Sequence, residues 1–391
     1  MNSPSILIEK VLTRVAKKLN IEKWRYELEN MSGNMVNYMG NLLPVALIDK
    51  TSDVTIHLMI KTDSSALVPA IEPFANGAYK REDYVYTTLV PLFKKITNNS
   101  GDFFPECYFA DSSEDNRVLA LQNMSVFGFE RHNKGRFLDK EHIILILEAV
   151  AKLHSFSLIL REKNIEPPNN EVMEPFMTNK EPHYAYCLKR CFKKYGVDLF
   201  EGTQFEQFFK KMYSSMDDMT QFIENSVKNA HTLVYGHGDI WKENFLFKYI
   251  DNKPVQVCLL DYQLTHLMTP ARDVLFLLIN STESSVRREH CQTFLSTYYK
   301  ALEMSLKANG IDPSTVYSEE KFRDDIKLVF PTCLCITIFS FALWLGLENL
   351  ISLVDTAGSV NVDTQKDNVE LFIKIIGDII TDFRDFGTTS M

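Results

Sequence analysis

The chain has 391 residues, of which 45% are hydrophobic and 24% charged; this composition supports a large core and excludes a disordered or fibrous protein. Its formal net charge is -9 and no long run of lysine or arginine occurs, so neither a nucleic acid nor an anionic membrane surface is an expected partner. Seven scattered cysteines, without a second pair at zinc-binding spacing, predict reduced thiols and a cytoplasmic protein.

Two segments bear on membrane insertion. The first twenty residues carry charges throughout and predict an amphipathic helix rather than a signal peptide. The segment Val329–Leu347 is nearly long enough to span a bilayer, but Pro331 and several Thr, Ser and Cys residues interrupt it. We therefore expect this segment to be a buried core helix, and we expect no membrane span.

Short segments rich in β-forming residues follow one another in the first third of the chain. They predict strands at Trp24–Leu28, Leu42–Asp49, Val54–Lys61, Cys107–Asp111 and Val118–Gln122. One helical pattern, Glu72–Ile96, lies between the third and fourth of these strands. From Asp139, a predicted helix N-cap, the period becomes helical, and Gln204–Val227 continues the helical pattern.

Two strand-like stretches, Val234–Phe247 and Pro254–Gln263, interrupt the helical part of the chain. The pattern predicts an α+β, bilobal fold. Residues 1–122 form a small N-terminal lobe with an antiparallel sheet and one main helix. Residues 123–391 form a larger, mainly helical C-terminal lobe that carries the catalytic loop and the acceptor site.

The stretch VYGHGDIWKENFLF places polar residues between two apolar runs. In it Asp239 is followed five residues later by Asn244, the spacing between the catalytic Asp and the metal-binding Asn of protein kinases. Asp261 follows Asn244 by seventeen residues, at the end of an apolar strand. A solvated turn would explain Asp239 and Asn244 alone, but the three residues together predict phosphoryl transfer from ATP. Asp239 is then the catalytic base, and Asn244 and Asp261 are Mg²⁺ ligands.

Two further polar residues accompany this pattern. His237 is a candidate general base because histidine titrates near neutral pH, but its place before Gly238 favours a structural role in which it holds the loop backbone. Asp273 lies near the start of an apolar helix, where a carboxylate can cap backbone N–H groups. We expect Asp273 to give buried support to the catalytic loop.

A kinase also needs a strand lysine that contacts phosphate and is held by a glutamate of the following helix. Lys61 ends a predicted strand, and Glu82 lies on the helix that follows it. On the residues alone Glu72, Asp83 and Glu106 are alternative partners for Lys61.

The stretch Ser32–Asp49 provides two glycines between strand-like segments, where a loop over the phosphates is expected. It is not a G-x-G-x-x-G loop, so by itself it is weak evidence. Backbone N–H groups can bind phosphate there, with help from Asn34 or Asn37.

These residues resemble the ecdysteroid kinase-like proteins of arthropods, relatives of choline and aminoglycoside kinases within the protein-kinase-like fold. The resemblance is strongest at a His-Gly-Asp-x-Trp-x-x-Asn loop, His237–Asn244, and at a Leu-Asp-Tyr-Gln strand end, Leu260–Gln263. It implies the same roles for Asp239, Asn244 and Asp261, and it makes Lys61 the phosphate-contacting lysine with Glu82 as its partner. It also implies a structural role for His154, in an Ala-x-x-His helix.

The chain departs from the family at two places. Gln122 and Asn123 stand where the family usually has Glu-Asp at the hinge between lobes, and Tyr262 replaces the usual Phe. Adenine is generally bound there by backbone groups, so Gln122 and Met124 remain the expected nucleotide contacts. The hydroxyl that Tyr262 adds would need a hydrogen-bond partner if buried.

The leading hypothesis is a small-molecule kinase that uses ATP and Mg²⁺ to phosphorylate an alcohol on a lipophilic acceptor. The resemblance implies an ecdysteroid, or a hydroxylated xenobiotic or plant compound. The alternatives are a choline- or aminoglycoside-type kinase and a pseudokinase that binds ligand without turnover. A protein kinase is not expected, since no Ala-Pro-Glu-like anchor follows Asp261. The sequence leaves the oligomeric state open.

Overall fold

The structure is a computed structural model, and it describes residues 4–30, 40–63, 72–97, 101–113, 117–174, 182–348 and 366–385. Asn34 and Asn37, the candidate phosphate-loop residues, lie outside these ranges. The chain divides into two compact units. Unit 1 comprises residues 1–133, 167–172 and 243–265, and unit 2 comprises residues 134–166, 173–242 and 266–391.

Unit 1 is built on a five-stranded antiparallel sheet, in the order β1-β2-β3-β5-β4. Its strands are β1 (Trp24–Leu28), β2 (Gly40–Asp49), β3 (Thr55–Asp63), β4 (Cys107–Asp111) and β5 (Val118–Gln122). Helix α1 (Pro4–Lys18) buries Leu12 and Val15 in one apolar cluster with Leu47 of the sheet. The predicted strands and the predicted amphipathic helix are confirmed.

The helical pattern predicted between β3 and β4 is also confirmed. It consists of α2 (Glu72–Tyr84), a π-helical turn (Val85–Leu89) and α3 (Val90–Ile96). A π-helical turn holds about one residue more than a turn of an α-helix, and such turns are common near functional sites. Glu82 lies on α2, just before this turn.

Five further strands form two small sheets. They are β6 (Phe129–Glu130), β7 (Val234–Gly236), β8 (Phe245–Ile250), β9 (Lys253–Leu259) and β10 (His266–Met268). Strands β6, β8 and β9 pair antiparallel within unit 1, and β7 pairs with β10 within unit 2. The hairpin of β8 and β9 therefore belongs to unit 1, although it is inserted in the helical part of the sequence.

Unit 2 is mainly helical. Its helices are α4 (Lys140–Glu162), α5 (Pro182–Cys191), α6 (Glu206–Ser214), α7 (Met219–Lys228), α8 (Pro270–Ser281), α9 (Ser284–Ala308), α10 (Pro313–Val316), α11 (Glu319–Trp344) and α12 (Lys366–Asp385). Asp139 is the N-cap of α4 and accepts a hydrogen bond from His142 N at 3.2 Å, as predicted. The pattern Gln204–Val227 is two helices, because Asp218 caps a new one by accepting Gln221 N at 2.9 Å.

Two helices of the described part of the chain, α4 and α11, are long and apolar enough to cross a membrane. In each of them 78% of the apolar window is buried inside the protein. Helix α4 packs on α9, and α11 packs on α8. Such burial is typical of core helices, as we expected for Val329–Leu347.

Candidate active site

In unit 1 the candidate functional residues are a lysine and two carboxylates that flank it. Lys61 lies on β3 between β2 and β5 and is only 6% exposed. Its Nζ donates to Glu82 Oε2 and to Asp261 Oδ1, at 2.7 Å in each case. The structure thus brings together three of the residues that the sequence singled out.

Two of the alternative partners for Lys61 are engaged elsewhere. Glu106 forms an ion pair with Lys94 at 3.0 Å. Asp83 accepts a hydrogen bond from Thr87 Oγ1. Glu82, in contrast, is 1% exposed and faces the lysine.

Contacts on either side of Glu82 hold α2 against the segment that follows β9. Arg81 Nε donates to the carbonyl oxygen of Gln263 at 2.9 Å. Tyr86 packs edge-on against Tyr262, with ring centroids 5.7 Å apart. Tyr262 is fully buried, and its ring also packs on Phe104 at 5.4 Å. Glu82 is therefore positioned by packing on both sides of it.

The pKa values of Glu82 and Lys61 follow from the fact that two carboxylates, Glu82 and Asp261, share one ammonium group. Burial raises the pKa of Glu82 to about 7; the Lys61 ammonium opposes this shift and the Asp261 carboxylate adds to it. Burial alone would lower the pKa of Lys61, but Asp261 and Glu82 hold it above its ordinary value. Lys61 therefore stays charged, and one cation serves two carboxylates.

The predicted metal ligands lie on the two sides of the β8–β9 hairpin. Asn244 is buried immediately before β8, and its carbonyl oxygen accepts a hydrogen bond from Leu260 N at 2.9 Å. Asp261 follows Leu260 and has left-handed backbone angles, with φ 66° and ψ 64°. Such a conformation is costly for a non-glycine residue and is concentrated at functional sites.

Amide and carboxylate oxygens are ligands that suit Mg²⁺, which commonly needs one or two carboxylates together with phosphate oxygens and water. Asn244 and Asp261 provide such a donor set. Within the ranges that the structure describes, no group of three or more His, Cys, Asp or Glu side chains is placed to hold a metal. Binding of Mg²⁺ by Asn244 and Asp261 therefore stays a prediction.

The altered hinge residues have their own partners in unit 1. Gln122 Oε1 accepts a hydrogen bond from Glu106 N at 3.3 Å. Asn123 Oδ1 caps the 3-10 turn that begins at Met124 by accepting Ser125 N at 3.2 Å, and Asn123 Nδ2 donates to Glu29 Oε2 at 3.4 Å. An Asp at position 123 would set a second carboxylate beside Glu29. The amide is thus the better match to this chain, whereas nucleotide contacts by Gln122 and Met124 stay predictions.

In unit 2 the candidate functional residues lie in the loop after β7. A Cβ atom at Gly236 would lie 2.5 Å from Met268 Sδ and 2.9 Å from Asp273 Oδ2, so only glycine allows β7 to pass there. Gly238 has φ 84°, in the left-handed region that favours glycine. The two glycines bring the loop backbone against Asp273.

Asp273 holds this loop by its backbone. Its Oδ2 accepts His237 N at 2.6 Å, and its Oδ1 accepts Gly238 N at 3.0 Å. The carboxylate lies in the first turn of α8 and binds the backbone of the loop after β7, and the part of this loop in catalysis stays a prediction. A third hydrogen bond comes from His154 Nε2 at 3.1 Å.

His154 and Tyr298 extend this network into the core. Tyr298 Oη lies 2.8 Å from His154 Nδ1, and both residues are fully buried. Since Nε2 donates to Asp273, Nδ1 accepts from the Tyr298 hydroxyl, which identifies the neutral tautomer with its proton on Nε2. Burial raises the pKa of Tyr298 well above its ordinary value, so its hydroxyl keeps the proton that it donates.

The pKa of Asp273 is low despite its burial. Burial would raise it, but the hydrogen bond from His154 and the electrostatic influence of His154, His237 and Arg272 bring it down to about 2. Asp273 is therefore a fixed negative charge near neutral pH, where it keeps its two backbone donors.

His237 makes the contact that its structural interpretation requires. Its Nδ1 accepts a hydrogen bond from Asp239 N at 3.3 Å, and its ring is fully buried. Asp239, by contrast, is partly exposed. The loop backbone is held from inside while the candidate base stays accessible.

Sequence reasoning missed three residues of this arrangement. Tyr298, Arg81 and Gln263 act through contacts with residues 144 or 182 positions away in the chain. No local pattern marks Tyr298. The basic residue Arg81 beside Glu82 was a visible signal, but its partner is a backbone oxygen that no side-chain pattern indicates.

This chain is similar to a known protein family and to several solved structures. The model of the ecdysteroid kinase-like family matches residues 34–311, more than two thirds of the chain. No curated protein sequence matches. Three solved structures similar to this chain are choline kinase from Cryptosporidium parvum Iowa II, ethanolamine kinase from Plasmodium vivax, and wild-type aminoglycoside 2'-phosphotransferase-IIIa in its GDP complex.

Their sequence identities to this chain are 13%, 12% and 10%, with a TM-score of 0.45 in each case. The matches cover 98%, 97% and 96% of this chain and 97%, 88% and 99% of those chains. Similarity at this level is too low to establish a substrate or a cofactor. The match of the family model is sufficient by itself: the chain belongs to the ecdysteroid kinase-like family and is a small-molecule phosphotransferase.

Proposed function

We propose that this protein phosphorylates a hydroxyl group of a lipophilic small molecule, with ATP as donor and Asp239 as the catalytic base. The observation that carries the proposal is the anchoring of the loop before Asp239. Asp273 binds the backbone N–H groups of His237 and Gly238, and His237 in turn accepts the N–H of Asp239. A base that is held by its backbone and left accessible is suited to orient an attacking alcohol.

In the proposed reaction the acceptor oxygen attacks the γ-phosphorus of ATP. A new P–O bond forms, the bond between the γ-phosphorus and the β,γ-bridging oxygen breaks, and ADP leaves. The acceptor hydroxyl gives its proton to the Asp239 carboxylate. Positioning and charge neutralisation supply most of the acceleration in reactions of this type.

The unit 1 cluster is the proposed nucleotide-binding part. Lys61, held by Glu82, contacts the phosphates and keeps its charge when buried. Asn244 and Asp261 would hold Mg²⁺, which neutralises charge on the β- and γ-phosphates when it is bound. The excess negative charge of the cluster supports a cationic ligand there.

The acceptor that we propose is an ecdysteroid or a hydroxylated xenobiotic or plant compound. Support comes from membership of the ecdysteroid kinase-like family. It also comes from aromatic side chains of unit 2 next to Asp239, including Trp241. A flat apolar molecule gains contact area on such side chains.

The test is ATP consumption by the purified protein with steroid, phenolic and choline-like alcohols in turn. We expect turnover with a steroid or phenolic alcohol, and we expect Asp239→Asn to lower kcat by more than ~10²-fold, because general-base contributions are of that size. ATP binding, measured by calorimetry, should change little, since Asp239 acts on the acceptor.

The matched control is Asp217→Asn, which makes the same change at an exposed residue of unit 2. It should keep the kcat of the unmodified protein. Near-normal kcat in Asp239→Asn would assign the base to another residue. Tight binding of one of these alcohols without any ATP turnover would overturn the kinase proposal.

A further inference from the structure

A second residue of α8, Arg272, reaches the loop after β7. Its Nη1 donates to the carbonyl oxygen of Gly238 at 3.5 Å and lies 3.3 Å from Met268 Sδ. The hydrogen bond is long, but the charge of the donor strengthens it. Asp273, the next residue of α8, binds the N–H groups of His237 and Gly238. Two adjacent residues of one helix therefore bind both kinds of polar backbone group in this loop.

The peptide between Gly238 and Asp239 is held at both of its polar ends. Arg272 binds its carbonyl oxygen, and His237 Nδ1 accepts its N–H at 3.3 Å. Gly238 has φ 84°, and glycine adopts φ angles of either sign at little cost. A peptide that follows glycine therefore rotates easily when nothing holds it, and the side chain of the next residue changes direction with it.

The chain beyond Asp239 is fixed by an aromatic stack. The Trp241 ring lies on the ring of Trp344, the last residue of α11, with centroids 4.2 Å apart and planes 11° from parallel. Phe341 is 1% exposed and meets the Trp344 ring edge-on at 5.2 Å. The Trp241–Trp344 stack thus anchors the loop after Asp239, and the direction of the Asp239 side chain depends on the peptide before it.

Contacts on both sides hold Arg272 itself. Its backbone N–H donates to the carbonyl oxygen of Thr269 at 3.0 Å, in the first turn of α8. Its own carbonyl oxygen accepts a hydrogen bond from Cys333 Sγ of α11 at 3.8 Å. Met268, beside the guanidinium, is fully buried in β10. The cation is therefore presented to the loop from a helix that is packed in the core.

The charge of Arg272 acts on titratable groups of its own helix and of two others. Burial raises the pKa of Tyr184 on α5 and raises that of Cys333 on α11 to about 12, and Arg272 opposes both shifts. Against the effect of burial, Arg272 also helps to lower the pKa of Asp273. Asp239 adds to the upward shift of Tyr184. Arg272 and Asp239 thus lie within electrostatic reach of the same phenol.

We propose that Arg272 is a positioning residue for Asp239: by holding the Gly238 carbonyl, it fixes the direction in which the Asp239 carboxylate leaves the backbone. This inference rests on the proposed function, because it takes Asp239 as the group that receives the proton of the acceptor. A catalytic group displaced by about 1 Å loses much of its effect on the rate. Arg272 therefore acts on kcat, and it does so without contact with ATP or the acceptor.

Steady-state kinetics separates positioning from substrate binding. Arg272→Met removes the donor and keeps the aliphatic stem. We expect kcat to fall by about ten- to a hundredfold, with each KM, for ATP and for the acceptor, changed less than about threefold. A raised KM with an unchanged kcat would make Arg272 a substrate-binding residue and overturn the inference.

The lysine variant tests whether the hydrogen bond is the cause. Nη1 makes both the contact with Gly238 and the contact with Met268, so one ammonium group can replace it. Arg272→Lys should therefore have a kcat within about threefold of that of the unmodified protein. Equal losses of kcat in Arg272→Lys and Arg272→Met would contradict the inference.

Hydrogen exchange tests the same contact without ATP or acceptor. Exchange of residues 234–244, measured by mass spectrometry, should be about three- to tenfold faster in Arg272→Met, because loss of the hydrogen bond frees the loop backbone. Arg272→Lys should exchange at the unmodified rate. Far-UV circular dichroism checks that the variants fold. If Arg272→Met does not fold, Arg272→Gln, whose amide is too short to reach Gly238, replaces it with the same expected results.

The matched control is Arg136→Met, which makes the same change at an exposed arginine of unit 2. It should leave kcat and the exchange rates unchanged. Unchanged kcat and unchanged exchange in Arg272→Met would overturn this inference and leave the kinase proposal standing. Faster exchange in Arg272→Met, when the unmodified protein turns over none of the alcohols, would support Arg272 as the anchor of the loop and overturn the kinase proposal.

Discussion

Each unit holds a buried carboxylate at its site, and the two carboxylates differ in how they are compensated. Glu82 in unit 1 and Asp273 in unit 2 are both 1% exposed. The pKa of Glu82 is raised to about 7, whereas that of Asp273 is lowered to about 2. In both, burial is the largest influence and acts to raise the pKa.

The difference lies in the partners. Glu82 has one backbone donor, at Tyr262, and one lysine, which it shares with the carboxylate of Asp261. Asp273 accepts two backbone N–H groups and a histidine N–H, and a second carboxylate does not compete for these donors. A buried carboxylate thus stays ionised when several donors converge on it. In unit 1 a single shared cation leaves the pKa of Glu82 raised, and in unit 2 the converging donors keep the pKa of Asp273 low.

The largest effect is expected when the shared cation of unit 1 is removed. Lys61→Met leaves the buried Glu82 and the partly exposed Asp261 without their shared cation and removes the proposed phosphate contact. We expect kcat to fall by about 10²- to 10³-fold, as it does on loss of a group that stabilises the transition state. Steady-state ATP consumption measures this. The control Lys50→Met, at an exposed lysine of the β2–β3 turn, should behave like the unmodified protein; equal losses in both variants would contradict the role of Lys61.

Neutralising the carboxylate of unit 2 should act first on stability. Asp273→Asn keeps the shape but replaces an ionised acceptor of three hydrogen bonds by an amide, which we expect to cost about 3 kcal/mol of unfolding free energy. Urea denaturation at pH 7 measures this cost, with Asp217→Asn as control. We also expect kcat to fall, because the loop that carries Asp239 loses its anchor. An unchanged unfolding free energy would mean that the amide satisfies the same donors.

The low pKa of Asp273 gives a pH dependence with a definite sign. Its folded pKa of about 2 lies below the ordinary value of 3.8. Its ionisation therefore stabilises the fold above pH 4, and this contribution is lost as the pH falls from 4 to 2. Across that window the unmodified protein should lose about 2 kcal/mol more unfolding free energy than Asp273→Asn. If the unfolding free energies of the two proteins fell in parallel over this pH range, the ionisation of Asp273 would not be the source of the pH dependence.

The smallest effect is expected at the far end of the unit 2 network. Tyr298→Phe removes the hydroxyl that donates to His154 Nδ1 but keeps the ring, so about 1 kcal/mol of stability should be lost. Since His154 still donates to Asp273, kcat should change less than about threefold. Thermal unfolding and ATP consumption measure the two quantities, with Tyr186→Phe as control. A large fall in kcat would show that the tautomer of His154 controls the loop.

The secondary structure of this chain was largely predictable because its signals are local. The strands of unit 1 and the helical pattern Glu72–Ile96 follow from hydrophobic period, and the start of α4 follows from Asp139. The break between α6 and α7 was missed, because the apolar period continues across the Asp218 cap. The spacing of Asp239, Asn244 and Asp261 marked the candidate site for the same local reason.

The contacts that shape the site depended on distant parts of the chain. Lys61 and Asp261 are 200 residues apart, and the choice of Glu82 over its alternatives needed the packing of α2. The Trp241–Trp344 stack joins a loop to the end of a helix about a hundred residues later. No period or spacing rule connects such positions.

The sequence by itself determined the elements, the kinase-like residue pattern and the family. Each of these depends on residues a few positions apart, or on motifs of known spacing. The tertiary structure alone decided that Asp261 shares Lys61 with Glu82, that the β8–β9 hairpin belongs to unit 1, and that His154 and Tyr298 continue the hydrogen bonds of Asp273. The charges and hydrogen-bond donors around a buried carboxylate come from residues that are neighbours only in three dimensions. The opposite pKa shifts of Glu82 and Asp273 therefore appear only once the chain is folded.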